Sequence, residues 1–110
     1  MKKAAYMDTL EYTGTRVDAN LWAGGPPAAG CLYFHEEGMA FSSRRYTLSA
    51  VQLQIAYADI AAITLCRILG IMPNGLRLTL RGGESYVFAV NRRRDVMAYL
   101  CRKAGLPPQN

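Results

Sequence analysis

Three consecutive arginines, Arg92-Arg93-Arg94, stand at the head of an apolar segment with helical spacing. Cations in a first helical turn oppose the helix dipole at roughly 0.3 to 1 kcal/mol apiece when exposed. Such a run therefore suits an anion such as a phosphate, gripped by guanidinium forks and by the free N–H groups of that turn. The plainer alternative is a solvated face, with Arg94 paired to a strand carboxylate. A second candidate runs from Arg67 to Arg77, Arg-Ile-Leu-Gly-Ile-Met-Pro-Asn-Gly-Leu-Arg. Gly70, Pro73 and Asn74-Gly75 mark it as a loop, yet Ile68, Leu69, Ile71 and Met72 are apolar where loops normally face water. Apolar tip residues flanked by Arg67 and Arg77 suit insertion at an anionic membrane surface. Each fully buried side chain there contributes about 1.5 to 3 kcal/mol, and each arginine about 1. Two other readings stay open: the loop folds back onto its own core, or it packs against a second copy of the chain.

Catalytic and metal chemistry find little support. His35 stands beside Glu36-Glu37, but on a tight turn these side chains diverge, and the chain has no second histidine. Ser42-Ser43 beside Arg44-Arg45 lacks a base, and the three cysteines lack a neighbouring histidine. Cys31, Cys66 and Cys101 are far apart, each in an apolar run, and read as reduced core residues of a cytoplasmic protein. No enzyme activity, metal or cofactor is expected. Nucleic acid would want aromatics and arginines on one exposed face. Trp22, Tyr33, Phe41, Tyr57, Tyr86 and Phe88 instead fall mostly on the parity predicted to be buried.

These residues need a scaffold, and alternation supplies it. Leu76, Leu78 and Leu80 alternate with Arg77, Thr79 and Arg81, the period of a strand with one buried face. Gly82-Gly83 reverses the chain, and Tyr86, Phe88 and Val90 return. A three-residue loop with a bulge would set them opposite the leucines; a two-residue turn would present Val87 and Ala89 instead. The first register buries the larger side chains and is the expected one. Upstream, strands are predicted around Val17–Leu21, Cys31–Phe34, Met39–Phe41, Val51–Tyr57 and Ile60–Ile68, with a bend at Asp59. Gly24-Gly25-Pro26-Pro27 forces a loop, Ser42 to Thr47 reads as another, and residues 1–13 as an arm or short helix. Asn91 is placed to cap a C-terminal helix that ends at Gly105 and Pro107-Pro108. Its stripe is Val96, Met97, Leu100, Cys101 and Ala104, with Arg92, Asp95, Tyr99, Arg102 and Lys103 turned away. Seven antiparallel strands and one terminal helix predict a mainly β, partly open barrel plugged by that helix, the pleckstrin-homology (PH) superfold.

The 110 residues suit one domain, and a hydrophobic share of 51% supports a packed core. A net charge of +5 and a pI near 9.4 favour an acidic partner: anionic lipid, nucleic acid or an acidic protein. Asp8 and Glu11 interrupt any apolar run after Lys2-Lys3, so no leader is expected. The longest apolar run, Ile60 to Cys66, falls far short of the roughly 20 residues a membrane-spanning helix needs.

Two short motifs carry a family resemblance. Gly30-Cys31-Leu32-Tyr33, followed by Met39-Ala40-Phe41-Ser42-Ser43, resembles the hairpin motif of GRAM domains. Asp59-Ile60 after the Ile55 strand, and Tyr86, Phe88, Arg94-Asp95 and Leu100, are similar to later positions of that family. The resemblance spans about residues 17–103. It implies a PH-like module of membrane-associated proteins, some of which bind phosphoinositides or phosphatidylserine, and it makes Arg94-Asp95 a structural pair. Ten arginines against three lysines suggest a GC-rich bacterial genome, hence a stand-alone bacterial member. The resulting expectation is a non-catalytic binding or adapter module, cytoplasmic or peripheral at the inner membrane face, with anionic lipid or a protein as ligand. A homo-oligomeric scaffold is the alternative, and nucleic-acid binding through the arginines the weaker one.

Overall fold

The computed structural model describes residues 11–22, 26–44 and 51–107. Seven strands, β1 (Arg16–Trp22), β2 (Ala28–Phe34), β3 (Gly38–Ser43), β4 (Gln52–Ala56), β5 (Ile60–Ile68), β6 (Met72–Leu80) and β7 (Ser85–Val90), precede one helix, α1 (Arg93–Ala104). All pairings are antiparallel, in the order β4-β3-β2-β1-β7-β6-β5. The two ends of this curled sheet, β4 and β5, are joined by a single 3-10 turn, Tyr57–Asp59, without pairing to each other. Helix α1 packs over that opening, against β5, β6 and the turn. The fold is the expected PH-like half-barrel with a terminal helix.

The core comes from the inward parity of each strand: Leu32 and Phe34, Phe41, Ile60 and Ile63, Leu76 and Leu78, and Phe88, all 2% exposed or less. Leu76 faces Phe88 and Leu78 faces Tyr86, so the bulged register is the one adopted. Its three-residue loop, Arg81-Gly82-Gly83, closes where the Leu80 N–H donates to Glu84 O at 2.8 Å, and Gly83 takes a φ of 100°. The motif halves quoted for the family resemblance lie opposite each other: Leu32 pairs with Phe41, Tyr33 with Ala40, and Gly30 with Ser43. A Cβ on Gly30 would run into the Ser42 carbonyl and sit 2.8 Å from Ser43 Cα, so the close approach of β2 and β3 demands glycine there.

Helix α1 departs from expectation at two points. Tyr99, assigned to the outer face, is fully buried. Its ring meets Phe34 and Tyr12 edge-on or nearly so at 5.4 and 5.5 Å. Its hydroxyl hydrogen-bonds Thr13 Oγ1 at 2.8 Å and Tyr57 Oη at 3.2 Å. A tyrosine can lie inward when its one polar atom finds partners, and here residues 12 and 13 supply them from the N-terminal side. Asn91 does not cap the helix. The capping position falls to Arg92 in a left-handed conformation (φ 55°), with no side chain satisfying the first turn. At the other end Gly105 N–H reaches Arg102 O and Leu106 N–H reaches Cys101 O at 2.8 Å, a Schellman closure.

Other expectations are corrected in detail. Only Cys101 is buried; Cys31 and Cys66 are half-buried on β2 and β5. Trp22, Tyr33 and Tyr86 are half-buried rather than core, whereas Phe41, Tyr57 and Phe88 are buried as expected. The Ser42 to Thr47 loop begins later than predicted, because β3 includes Ser42 and Ser43; its remainder from residue 45, like residues 1–10 of the proposed arm, lies outside the described residues.

Candidate functional site

The segment from Arg67 to Arg77 is a hairpin, not a loop: β5 ends at Ile68 and β6 starts at Met72. Pro73 fits inside a strand because the β5–β6 register shifts between Cys66 and Ile68, which releases it from the ladder. The reversal is confined to Leu69-Gly70-Ile71 and closed by Ile71 N–H to Ile68 O at 3.1 Å. Leu69 and Gly70 have φ of 55° and 77°. Consecutive residues of positive φ form the tight reversal that favours Asn-Gly, so a leucine in the first position costs conformational energy.

The tip splits the four predicted apolar contacts. Ile68 folds back and is 3% exposed, whereas Leu69 is 72%, Ile71 73% and Met72 40% exposed. They are the large hydrophobic residues that stand in solvent among the described residues. Arg67, next to the tip, is exposed. Arg77 is exposed too, but it faces Thr64 and Val87 farther along the strand. Five residues at about 3.3 Å each place it roughly 16 Å from Met72.

The arginine triplet lies at the same end of the molecule. Arg93 Nη1 donates to two strand carbonyls, Cys66 O at 2.7 Å and Gly75 O at 3.0 Å, pinning the helix start to the waist of the hairpin. Gly75 must be small for β5 and β6 to pair closely here: a Cβ there would stand 2.8 Å from Cys66 Sγ and 2.9 Å from Cys66 O. Arg92 binds Asp95 Oδ2 through Nη2 at 2.7 Å and through Nε at 2.8 Å. The partner of Asp95 is therefore Arg92. Asp95 also lies in the first helical turn, where a carboxylate complements the dipole. Arg94 is exposed on that turn. The structure thus brings Leu69, Ile71, Met72, Arg67, Arg92 and Arg94 to one end, commits Arg93 to the scaffold and separates Arg77.

The opposite end of α1 holds a second cluster. Tyr57 Oη donates to His35 O at 2.9 Å. Burial, followed by the Tyr99 hydroxyl beside it, pushes its ionisation far above the ordinary tyrosine value. Arg102 and Lys103 lie over the Tyr99 and Tyr57 rings at 5.5 Å and reach Glu11 and Glu36 at 2.9 and 3.8 Å. These groups close that end of the core. His35, Glu36 and Glu37 are exposed on the β2–β3 turn, and no cluster of three metal-binding side chains exists among the described residues.

One concavity went unforeseen. Asp18, Asn20, Arg44, Asn74 and Asn91 surround a cavity of about 250 Å³ over β1 and β7. Its polar residues come from four separate segments, so no local motif announces them. The outward parity of Asp18 and Asn20 on β1 is the one trace in the sequence.

Seven antiparallel strands in a curled half-barrel with one terminal helix define a PH-like fold. Solved structures similar to it include the C-terminal domain of an unknown protein from Leishmania infantum (TM-score 0.70, 16% identity, 94% of each chain). Inner Membrane Complex Sub-compartment Protein 3 from Toxoplasma gondii is also similar (0.61, 15%, 93% of this chain and 82% of that one). So is the Slm1 PH domain in complex with D-myo-inositol-4-phosphate (0.57, 9%, 86% and 96%). At these identities the likeness concerns the fold. No family model matches the chain, and no curated protein sequence matches it. No helix among the described residues is long and apolar enough to cross a membrane.

Proposed function

We propose that this protein is a non-catalytic, GRAM-type binding module that docks on an anionic membrane surface through the β5–β6 tip. The observation that carries the reading is the exposure of Leu69, Ile71 and Met72 on a reversal whose first residue is held at positive φ. Apolar side chains kept in solvent at a backbone cost are characteristic of a contact surface. The GRAM assignment draws support from the facing of Gly30, Leu32 and Tyr33 by Ser43, Phe41 and Ala40. The Slm1 neighbour, solved with D-myo-inositol-4-phosphate, supports the reading by showing that a domain of this fold can hold an anionic headgroup-like ligand.

Leu69 and Ile71, each about three-quarters exposed, would contribute about 2 to 4 kcal/mol together on insertion. That alone corresponds to millimolar affinity or weaker. Arg67 and Arg94, at about 1 kcal/mol each near an anionic leaflet, make the difference between transient and measurable binding. Attachment should therefore require negative lipid and weaken with salt.

The test is cosedimentation with vesicles of phosphatidylglycerol and phosphatidylcholine against phosphatidylcholine alone. The wild-type protein is expected to pellet with the anionic vesicles, and Ile71→Glu to stay in solution. Absence of pelleting by the wild type overturns the reading. An Ile71→Glu variant that pellets normally does so too, and one that splits an oligomer while the wild type ignores vesicles assigns the tip to a second copy of the chain.

A further inference from the structure

The sheet has two open edges, and only one of them is guarded. Strand β5 carries register shifts between Ile60 and Ala62 and between Cys66 and Ile68, and it lies against α1. Bulges and a covering helix are ordinary means of keeping a sheet edge from pairing with another chain. Strand β4 pairs with β3 alone among the described residues. Its sequence, Gln52-Leu53-Gln54-Ile55-Ala56, holds no proline and no charge, and its register against β3 is unbroken. Five residues is also an ordinary strand length, so brevity does not blunt the edge. We infer that β4 is a dimerisation edge, which pairs antiparallel with β4 of a second copy of this chain about a two-fold axis at Gln54.

Three observations select a second copy as the occupant. First, the phase of the ladder aims backbone groups outward. Ser43 N–H donates to Val51 O at 2.9 Å just before β4, and Tyr57 N–H to Glu37 O at 3.1 Å just after it. Between those bonds Leu53 and Ile55 turn their N–H and C=O toward β3, and Gln52, Gln54 and Ala56, all exposed, turn theirs away from it. Second, the strand is complementary to itself. With Gln54 opposite Gln54, each exchanges both backbone bonds with the other, and Gln52 meets Ala56 in the same phase. Leu53 and Ile55, which face Phe41 and Met39 on the inner side, then fall opposite one another across the axis. Leu53 is only half-buried in one copy and gains an apolar neighbour. On the outer side the two Gln54 amides, each with a donor and an acceptor, can bond reciprocally. Third, a charged edge strand would set like charges against each other when paired with its own copy, and β4 contributes none of the net charge of +5. That charge opposes association only at a distance, where salt screens it.

This edge is separate from the β5–β6 tip, so its success or failure leaves the membrane reading where it stands. The experiment is sedimentation equilibrium on the whole chain at concentrations up to about 1 mM, because a contact this short belongs to the small, transient class of interfaces. The wild type is expected to dimerise reversibly and to do so more tightly at high salt, the reverse of the salt response expected for membrane attachment. Gln54→Lys and Gln54→Glu change an exposed side chain, so melting temperature should hold. Each variant alone should dimerise roughly tenfold more weakly, since two like charges then stand about 5 Å apart. An equimolar mixture of the two should associate again, because lysine then faces glutamate across the axis. A wild type that stays monomeric throughout overturns the inference and leaves the edge to an extended segment of a different protein. A dimer untouched by both variants overturns it, as does a mixture that fails to associate. A dimer split by Ile71→Glu but not by Gln54→Lys moves the contact to the tip and overturns it equally.

Discussion

Leu69→Asn should make the protein more stable and less able to hold a membrane. Leu69 has a φ of 55°, followed by Gly70 at 77°. The left-handed region costs an ordinary L-residue roughly 1 to 2 kcal/mol, whereas asparagine enters it readily and Asn-Gly is the preferred pair for such a reversal. Leu69 is 72% exposed, so little packing is forfeited in exchange. The net expectation is a gain of about 1 kcal/mol, read as a rise in Tm of roughly 4 to 8 °C for a domain of this size. On the membrane side, replacing the leucine forfeits about 1 to 2 kcal/mol of insertion energy, about a tenfold loss of partitioning into anionic vesicles. Circular dichroism melts and vesicle cosedimentation on the same preparation check both. A fall in Tm would show that Leu69 packs rather than strains. A rise in Tm with pelleting unchanged would remove the tip from the membrane contact and refute the functional reasoning while sparing the conformational one.

Two further outcomes test the scaffold. Arg93→Met strips the donor from Cys66 O and Gly75 O, and charged hydrogen bonds of this kind contribute about 1.5 to 3 kcal/mol. Urea denaturation should show a loss of about 2 kcal/mol, and hydrogen exchange should quicken over residues 68–75; exchange unchanged there would mean that the hairpin holds its shape unaided. Tyr57 ionises in the folded chain only far above its ordinary value, because burial and then the Tyr99 hydroxyl favour the neutral form. Its folded value is raised, so its contribution is whole below the unfolded value of about 10. Above that it declines by about 1.4 kcal/mol per pH unit as only the unfolded chain gives up the proton. Urea melts across that range should show a shallower alkaline decline for Tyr57→Phe than for the wild type, and equal slopes would contradict the assignment.

Much of the architecture could be read from residue order because each strand writes its burial as alternation. Leu76, Leu78, Tyr86 and Phe88 even disclosed the hairpin register, since only a three-residue loop lets the large side chains meet. Tyr99 was illegible for the opposite reason. Its inward turn depends on Thr13 Oγ1 and Tyr57 Oη, and the first of these partners lies 86 positions away. Asn91 failed as a cap because Arg92 adopts the left-handed conformation that moves the helix start one residue on. The tip was legible in part: composition identified Leu69, Ile71 and Met72, but it assigned Ile68 with them, and the boundary between buried and exposed falls within that run. The polar cavity was invisible, being assembled from four segments whose residues are each unremarkable where they stand.

The arginine triplet makes sense only when its members are separated. Three guanidinium groups at a helix start oppose the dipole, and a reading by sequence asks what anion compensates them. The structure answers differently for each. Asp95 neutralises Arg92 at 2.7 Å. Two carbonyls of the hairpin, Cys66 O and Gly75 O, accept from Arg93. Arg94, exposed on the first turn, is the member with no hydrogen bond or ion pair among the described residues. The triplet is thus a brace with one outward charge, and the brace fixes the hairpin whose tip carries the apolar residues. The two stretches that looked like separate candidates in the sequence are therefore one structural unit: Arg93 ties the helix start to the hairpin, and Leu69, Ile71 and Met72 stand exposed at the tip of that hairpin.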